Sequence, residues 1–392
     1  MPPILVRMAA PVFTGSPCEI RSRHTSVKWV AYPAEVLPMW VAEMDAAPCE
    51  PVVEAVTAAM RRGDTGYAWG PPYAEALARF ARARWDWEPA VAQCTVVADV
   101  MIGVAEVLRA VTGPGDAVVV SPPCYDSFFG FTQALGRRSV EAPLTAQGRL
   151  SEDSLAGAFA EATAAGARAA YVLCNPQNPT GTVHTRAELE MLAALAERFG
   201  VQVVADEIHA PLVYAGGPAF VPYLSVAGGE RGIAVFSPSK GWNLAGLKSA
   251  LVVFGTATGS IQGAFHEVHT HGASHVAVQA HIAALDDGRE WLDRAMAELT
   301  ANLTLLGEEL AAQLPQVRWQ RPEATYLAWL DCRGLGLGDD PAAEFLRLGR
   351  VALSSGPRYG RVDGAGFARF NVATSPLVIR EAVSRMALAV PR

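Results

Sequence analysis

The chain is short of several things that would signal other functions. Its six cysteines in 392 residues (Cys18, Cys49, Cys94, Cys124, Cys174, Cys332) lie far apart, with no C-x-x-C pair. That argues against a disulfide framework or a cysteine zinc site, and for a reducing cytoplasm. Charged residues are only 18%, and 32 Lys+Arg against 39 Asp+Glu leave a net −7. Without a basic excess, neither nucleic acid nor an anionic membrane is an expected partner. No run approaches the about 18–20 continuous apolar residues of a membrane span. The opening MPPILVRMAAPVFTG is interrupted by Arg7 and has no basic stretch ahead of an apolar core, so it does not read as a secretory leader.

Several motifs are missing too. There is no G-x-x-x-x-G-K-[ST] and no G-x-S-x-G, which excludes a P-loop NTPase and weakens a hydrolase reading. Gly334, Gly336 and Gly338 do not make G-x-G-x-x-G and read as a turn. His266, Glu267, His269 and His271 miss the zincin spacing because position 270 is Thr270. They read as a polar helix face or loop, with no metal expected.

Apolar residues, by contrast, reach 51%, ample for a large packed core. The first 47 residues read as irregular, broken by Pro33, Pro38 and the following Pro48. Helix patterns follow over VVEAVTAAMRR, ending at Gly63, and over YAEALARFARARW. Then helical stretches alternate with short apolar runs: AVVVS (117–121), RAAYVLCN (168–175), VQVVAD (201–206), IAVFS (233–237) and SALVVFG (249–255). Strands without in/out alternation, separated by helices, predict an α/β fold with a mainly parallel sheet covered by helices on both faces. One long helical stretch is expected over 276–314, then a mix of strands and helices. The expected division is a large cofactor-binding domain over 48–288 and a smaller α+β domain from 1–47 and 289–392.

Four segments at predicted strand ends carry the chemistry. CNPQNPTG (174–181) presents Asn175 and Asn178, or is a plain turn. In ADEIH (205–209), Asp206 ends a buried apolar strand. A carboxylate there is costly unless it meets a cation, such as a protonated ring nitrogen, or caps a helix. In FSPSKGWNLAGLKSA (236–250), Lys240 lies among hydroxyls, poised as an amine nucleophile. Ser237, Ser239 and Lys248 could cradle a phosphate, unless the segment is a solvated loop. In PPCYDSFF (122–129), Tyr125 is a ring platform or a core residue, with Cys124 beside it. A Schiff-base lysine, an acid for a pyridinium, a phosphate cradle and a ring platform are together the parts of a pyridoxal 5′-phosphate (PLP) site. They sit where α/β sheets place ligands.

NPQNPTG, DEIH and SPSK resemble, in order, the signatures of fold-type I PLP enzymes, the aspartate aminotransferase superfamily. Within it the chain is similar to the MalY/PatB type of cystathionine β-lyases. That likeness rests on KW (28–29), LPMWVAEMD (37–45), TGY (65–67), DEIHAPL (206–212), SKGWNLAGLK (239–248) and ATYLAWLD (324–331). The resemblance implies PLP fold type I and the following roles. Lys240 would bond the cofactor and shuttle protons. Asp206 would pair with the ring nitrogen, Tyr125 would stack on the ring, and Asn178 would bond its O3′. His209 stands near that oxygen. Ser237, Ser239 and Lys248 would bind the phosphate, with the amides of Val100 and Met101 at a helix start. Arg369 would fork onto the substrate α-carboxylate, with Asn178 alongside it. Tyr67 would reach into the site of the other subunit of a homodimer. Asp99 departs from the glycine often found before the phosphate-binding amides, and Glu43 from the aspartate of WVADMD. The implied activity is a carbon–sulfur β-lyase acting on cystathionine or a related cysteine S-conjugate. An aminotransferase, or a regulatory protein keeping the fold, are the alternatives.

Overall fold

The computed structural model describes residues 10–265 and 267–390. The opening residues 1–9 and His266, which carry part of the leader and histidine readings, lie outside the described residues. The centre is a seven-stranded sheet of β1 (Cys94–Val97), β2 (Ala117–Val120), β3 (Arg138–Glu141), β4 (Ala169–Cys174), β5 (Val201–Asp206), β6 (Ile233–Phe236) and β7 (Ala250–Phe254). Their order is β1-β7-β6-β5-β4-β2-β3. The pairs β3–β2, β2–β4, β4–β5 and β5–β6 are parallel, while β7 is antiparallel to both its neighbours.

The inner strands lack polar alternation because both faces are covered. Val118 and Val120 point into one core with Val172, Val204 and Val235. Ala117 and Val119 point into the other with Leu173, Val203 and Phe236. The helix Val100–Val111 lies on the first face. It packs so closely that a Cβ on Gly103 would meet Val235 Cγ1 at 2.9 Å. On the second face lies the helix Arg186–Phe199, which opens with a Thr185/Glu188 capping box and closes at Gly200 in the left-handed region.

A four-stranded antiparallel sheet (Arg318–Trp319, Leu327–Asp331, Phe367–Asn371, Ser354–Ser355) forms from the C-terminal third. Leu37–Pro38 pairs with Val351–Ala352, which ties the N-terminal segment to that third.

Two expectations need correcting, and two strands had gone unforecast. The first 47 residues are not wholly irregular: helices occupy Pro17–Arg23 and Val27–Val30. The first has a Ser16/Glu19 capping box legible in the sequence. The stretch 276–314 is two helices, His275–Asp286 and Arg289–Gln313. They part at Gly288, whose carbonyl accepts a 2.8 Å bond from Trp242 Nε1. The strands β1 and β3 were hidden because Thr95, Arg138 and Glu141 dilute their apolar pattern.

Candidate active site

The parallel strands deliver polar residues to one edge of the sheet. β2 leads to Tyr125, β4 to Asn178, β5 to Asp206 and His209, and β6 to Ser237, Ser239 and Lys240. With the start of the helix Val100–Val111 they line one cavity of about 420 Å³. Val100, Met101, Tyr125, Asn178, Asp206, His209, Ser237, Ser239, Lys240, Lys248 and Arg369 all face this space. Of the residues singled out in the sequence, Glu43, Cys124, Asn175 and Tyr67 do not line it. Tyr67 is 86% exposed and its ring stacks on His271 at 5.6 Å.

Three ionisable groups sit deep in the cavity. Lys240 Nζ donates to the Ala42 carbonyl at 2.6 Å. Burial, and then the charge of Arg369, bring its pKa down to about 8. Asp206 Oδ1 accepts from the Ile208 amide at 3.1 Å. Burial lifts this carboxyl from 3.8 to about 6. Arg369 is 4% exposed, yet among the described residues no carboxylate pairs with it. Its Nη1 donates to Asn178 Oδ1 at 3.0 Å, its Nη2 to the Trp40 carbonyl at 2.8 Å and Ser354 Oγ at 3.2 Å, and its Nε has no partner. A buried guanidinium facing a cavity with a donor to spare is a receptor for an anion.

The other positions are more neutral. His209 is buried, its Nδ1 has no partner, and its pKa falls to about 3 through burial and then the nearby Lys240 and Arg369 charges. It is therefore an uncharged imidazole. Burial raises the Tyr125 hydroxyl. Ser237 Oγ donates to the Ser249 carbonyl at 2.9 Å and accepts from the Ser239 amide at 3.2 Å. Asp99 caps the helix through Ile102 N at 2.8 Å, and its Oδ2 lies 3.1 Å from Lys248 Nζ. Both its oxygens are thus engaged. Cys124 is buried outside the cavity lining, and its amide donates to the Tyr359 carbonyl.

Sequence reasoning missed the roof. The segment Met39–Asp45 crosses the cavity with its backbone held at many points. Ala42 O also accepts from Tyr326 Oη, Asn371 Nδ2 donates to the Val41 and Glu43 carbonyls, and the Asn243 side chain bonds Met44 N and O. At its end, Asp45 meets Lys28 at 2.8 Å, both side chains fully buried, and Trp29 Nε1 at 2.7 Å. Trp40, Ser354, Arg358 and Tyr359 also line the site. Backbone carbonyls carry no residue-type signature, so their roles had no signal; KW and LPMWVAEMD marked only a likeness.

A PLP-shaped group suits this cavity. The buried Asp206 has one backbone N–H as partner and room for a ring N–H. His209 and Arg369 have polar atoms without partners. The first-turn amides of the capped helix offer an anion site.

The sequence profile of the family described as aminotransferase class I and II matches residues 43–386. A Mycobacterium leprae protein named "Putative cystathionine beta-lyase" is 47% identical over 93% of this chain and 95% of its own. Cystathionine beta-lyase PatB of Bacillus subtilis is 30% identical over 95% and 98%. Among solved structures, a "putative plp-dependent beta-cystathionase" of Corynebacterium diphtheriae superposes with a TM-score of 0.89 at 32% identity, covering 96% of this chain and 98% of that one.

Proposed function

This chain belongs to the aminotransferase class I and II family, and from that premise we propose that it is a PLP-dependent carbon–sulfur β-lyase. Its substrate would be cystathionine or a related cysteine S-conjugate, released as a thiol, pyruvate and ammonia. The likeness to proteins bearing the lyase name runs through nearly the whole chain. The observation that carries the reading is the grouping, in one buried cavity, of a lysine lowered to about 8, a carboxyl that needs a cationic partner, and an unpaired guanidinium.

When bound, PLP supplies an aldehyde for amines and a ring that draws electrons from Cα. Asp206 would hold the ring nitrogen, with Tyr125 and Asn178 as further contacts of the ring. Neutral His209 would add no charge beside it. Ser237, Ser239, Lys248 and the Val100 and Met101 amides would take the phosphate. Arg369 anchors the substrate α-carboxylate. Lys240 Nζ, readily neutral near its pKa of about 8, takes the Cα proton and gives a proton to the departing sulfur. The roof segment, held by the Lys28–Asp45 pair, screens these transfers from water.

We further infer a homodimer, in which the exposed Tyr67 reaches the second subunit's site, and a cytoplasmic setting in keeping with six free cysteines. Among the described residues no helix is long and apolar enough to cross a membrane. The domain division at 48–288 is part of the same proposal; its C-terminal limit falls at the Gly288 break.

The deciding experiment is turnover of cystathionine without added keto acid. Pyruvate, ammonia and free thiol in equal amounts are expected. A requirement for a keto acid would put an aminotransferase in the lyase's place.

A further inference from the structure

The roof carbonyl that meets the lysine is shared. Ala42 O accepts from Lys240 Nζ at 2.6 Å and from Tyr326 Oη at 3.1 Å. A carbonyl oxygen has two lone pairs, and here both are taken. Tyr326 is 1% exposed, and burial drives its hydroxyl pKa upward, which keeps it a protonated donor. It does not line the cavity and meets Lys240 through the Ala42 oxygen.

The residue before it is strained. Thr325 has a φ of 71°, in the left-handed region, where a β-branched residue is an outlier. It is fully buried and pinned at three atoms. Its amide donates to the Leu212 carbonyl at 2.8 Å, its carbonyl accepts from Tyr214 Oη at 2.6 Å, and its Oγ1 accepts from the Leu327 amide at 3.1 Å. A backbone held this way fixes the direction in which the next side chain leaves it. That side chain is Tyr326, and its hydroxyl lands on the roof oxygen beside Lys240. The roof is fixed from its own side by Asn371 Nδ2, which bonds the Val41 and Glu43 carbonyls at 2.8 and 2.7 Å.

The consequence is for the free amine. A neutral lysine amine has two N–H groups and one lone pair. With one N–H on Ala42 O, and the other lone pair of that oxygen filled by Tyr326, Nζ has one seat on the carbonyl. We propose that Tyr326 is a positioning residue for Lys240: by filling the second lone pair of the Ala42 carbonyl, it fixes where the free amine sits and leaves the amine's lone pair to the cavity. Thr325 holds Tyr326 in place for this. The proposal rests on the PLP reading for Lys240 as the proton carrier, and holds whichever reaction follows loss of the Cα proton. Charges around Nζ act in both senses: Arg369 and Lys248 oppose its protonation, Glu43 and Asp206 favour it, and His209 is neutral. Removing a tyrosine hydroxyl alters none of them.

The test therefore takes away one oxygen. In the holoenzyme, exchange of the Cα hydrogen of L-alanine for deuterium, followed by NMR in D2O, reads proton transfer without a leaving group. At pH 9, Tyr326→Phe should lower kcat for this exchange about tenfold, the cost of a misplaced base. KM should stay within about twofold, because the carboxylate anchor is untouched. In full-length protein stripped of cofactor, the midpoint of PLP uptake against pH should rise by about 0.5 over wild type, since the freed lone pair favours the ammonium. Tyr171→Phe removes another buried hydroxyl, bonded to Ser121 Oγ at 2.9 Å, and should change neither readout. An unchanged exchange kcat in Tyr326→Phe, an unmoved midpoint, or equal changes in Tyr171→Phe would each overturn the proposal. Wild-type protein that neither takes up PLP nor exchanges alanine would sink the cofactor reading instead, so the two fail separately.

Discussion

Two cavities of nearly equal size open at opposite ends of the central sheet. The one at the strand C-terminal ends holds about 420 Å³, and one near the starts of β4 and β5 holds about 440 Å³. The second is lined by Ala169, Ala193, Ala196, Gln202 and Tyr223, with Arg168, Arg231 and Glu197 at its edge. Its arginines are exposed and paired: Arg231 with Glu197 at 2.7 Å, Arg168 with Asp116 at 3.4 Å. The first cavity is different in kind, not in volume. Its deep groups are buried charges that the protein leaves unmatched, at a cost that folding alone does not justify. Space does not make a site; unmet charge in a closed place does.

The largest break in that contrast should come from Lys240. Lys240→Ala should lower pyruvate release by roughly 10³–10⁴-fold, since it removes the proton carrier. A companion measurement reads the lysine directly. In wild-type protein stripped of cofactor, PLP uptake followed by absorbance should quicken as pH rises and level off above about 8, because the attacking amine must be neutral and burial sets its pKa at about 8. A rate still climbing beyond pH 10 would mean an ordinary exposed lysine.

Arg369→Ala should come next, with a fall of about 10–100-fold in kcat/KM, mainly through KM, the size expected for a lost charged hydrogen bond. Cystathionine and S-ethylcysteine should suffer alike, because both carry the α-carboxylate. Arg369→Lys should recover little, since a single ammonium cannot span Asn178, Ser354 and the substrate as the fork does.

Asp206 sets function against stability. In stripped protein its carboxyl titrates at about 6 rather than 3.8. A raised acid favours folding only while protonated, so its penalty is absent below about pH 4, grows between 4 and 6, and is complete above 6. Asp206→Asn should therefore stabilise stripped protein at pH 8 by about 2–3 kcal/mol and change little at pH 3.5, while catalysis is lost. Denaturant melts at the two pH values check this; equal effects at both would show that the carboxyl is not strained.

The deep half of the site was legible in the sequence because it hangs on the ends of local strands. Asn178, Asp206 and Lys240 each follow an apolar run, so position along the chain predicts position on the sheet edge. The roof was not legible. Ala42 acts through its carbonyl, and Ser354 and Arg358 come from the edge strand of the C-terminal sheet and the turn that follows it. Over 300 residues separate Trp40 from Ser354 and Arg369, and no periodicity encodes such a meeting. The Arg358–Asp126 pair was hidden for a like reason, since each residue looks like an ordinary surface charge until the fold brings them together. The small errors were local: a capping box overlooked at Ser16, and a glycine at 288 that divides a helix.

The smallest expected effect is the sharpest control. Arg231 stands at the edge of the second cavity as Arg358 stands at the edge of the first, both more than half exposed and both paired with a carboxylate. If pairing and a nearby cavity were enough to make a subsite, the two should matter equally. The Arg231–Glu197 pair, however, adjoins no buried unmatched charge among the described residues lining that cavity, and exposed pairs of this kind contribute about 0–1 kcal/mol. Arg231→Ala should therefore move stability by no more than about 0.5 kcal/mol and leave the cystathionine to S-ethylcysteine ratio within twofold of wild type. Urea melts and kcat/KM for the two conjugates measure both. A specificity change in Arg231→Ala beyond twofold would show that general surface charge steers the substrate, and the distinction between the two ends of the sheet would fall with it.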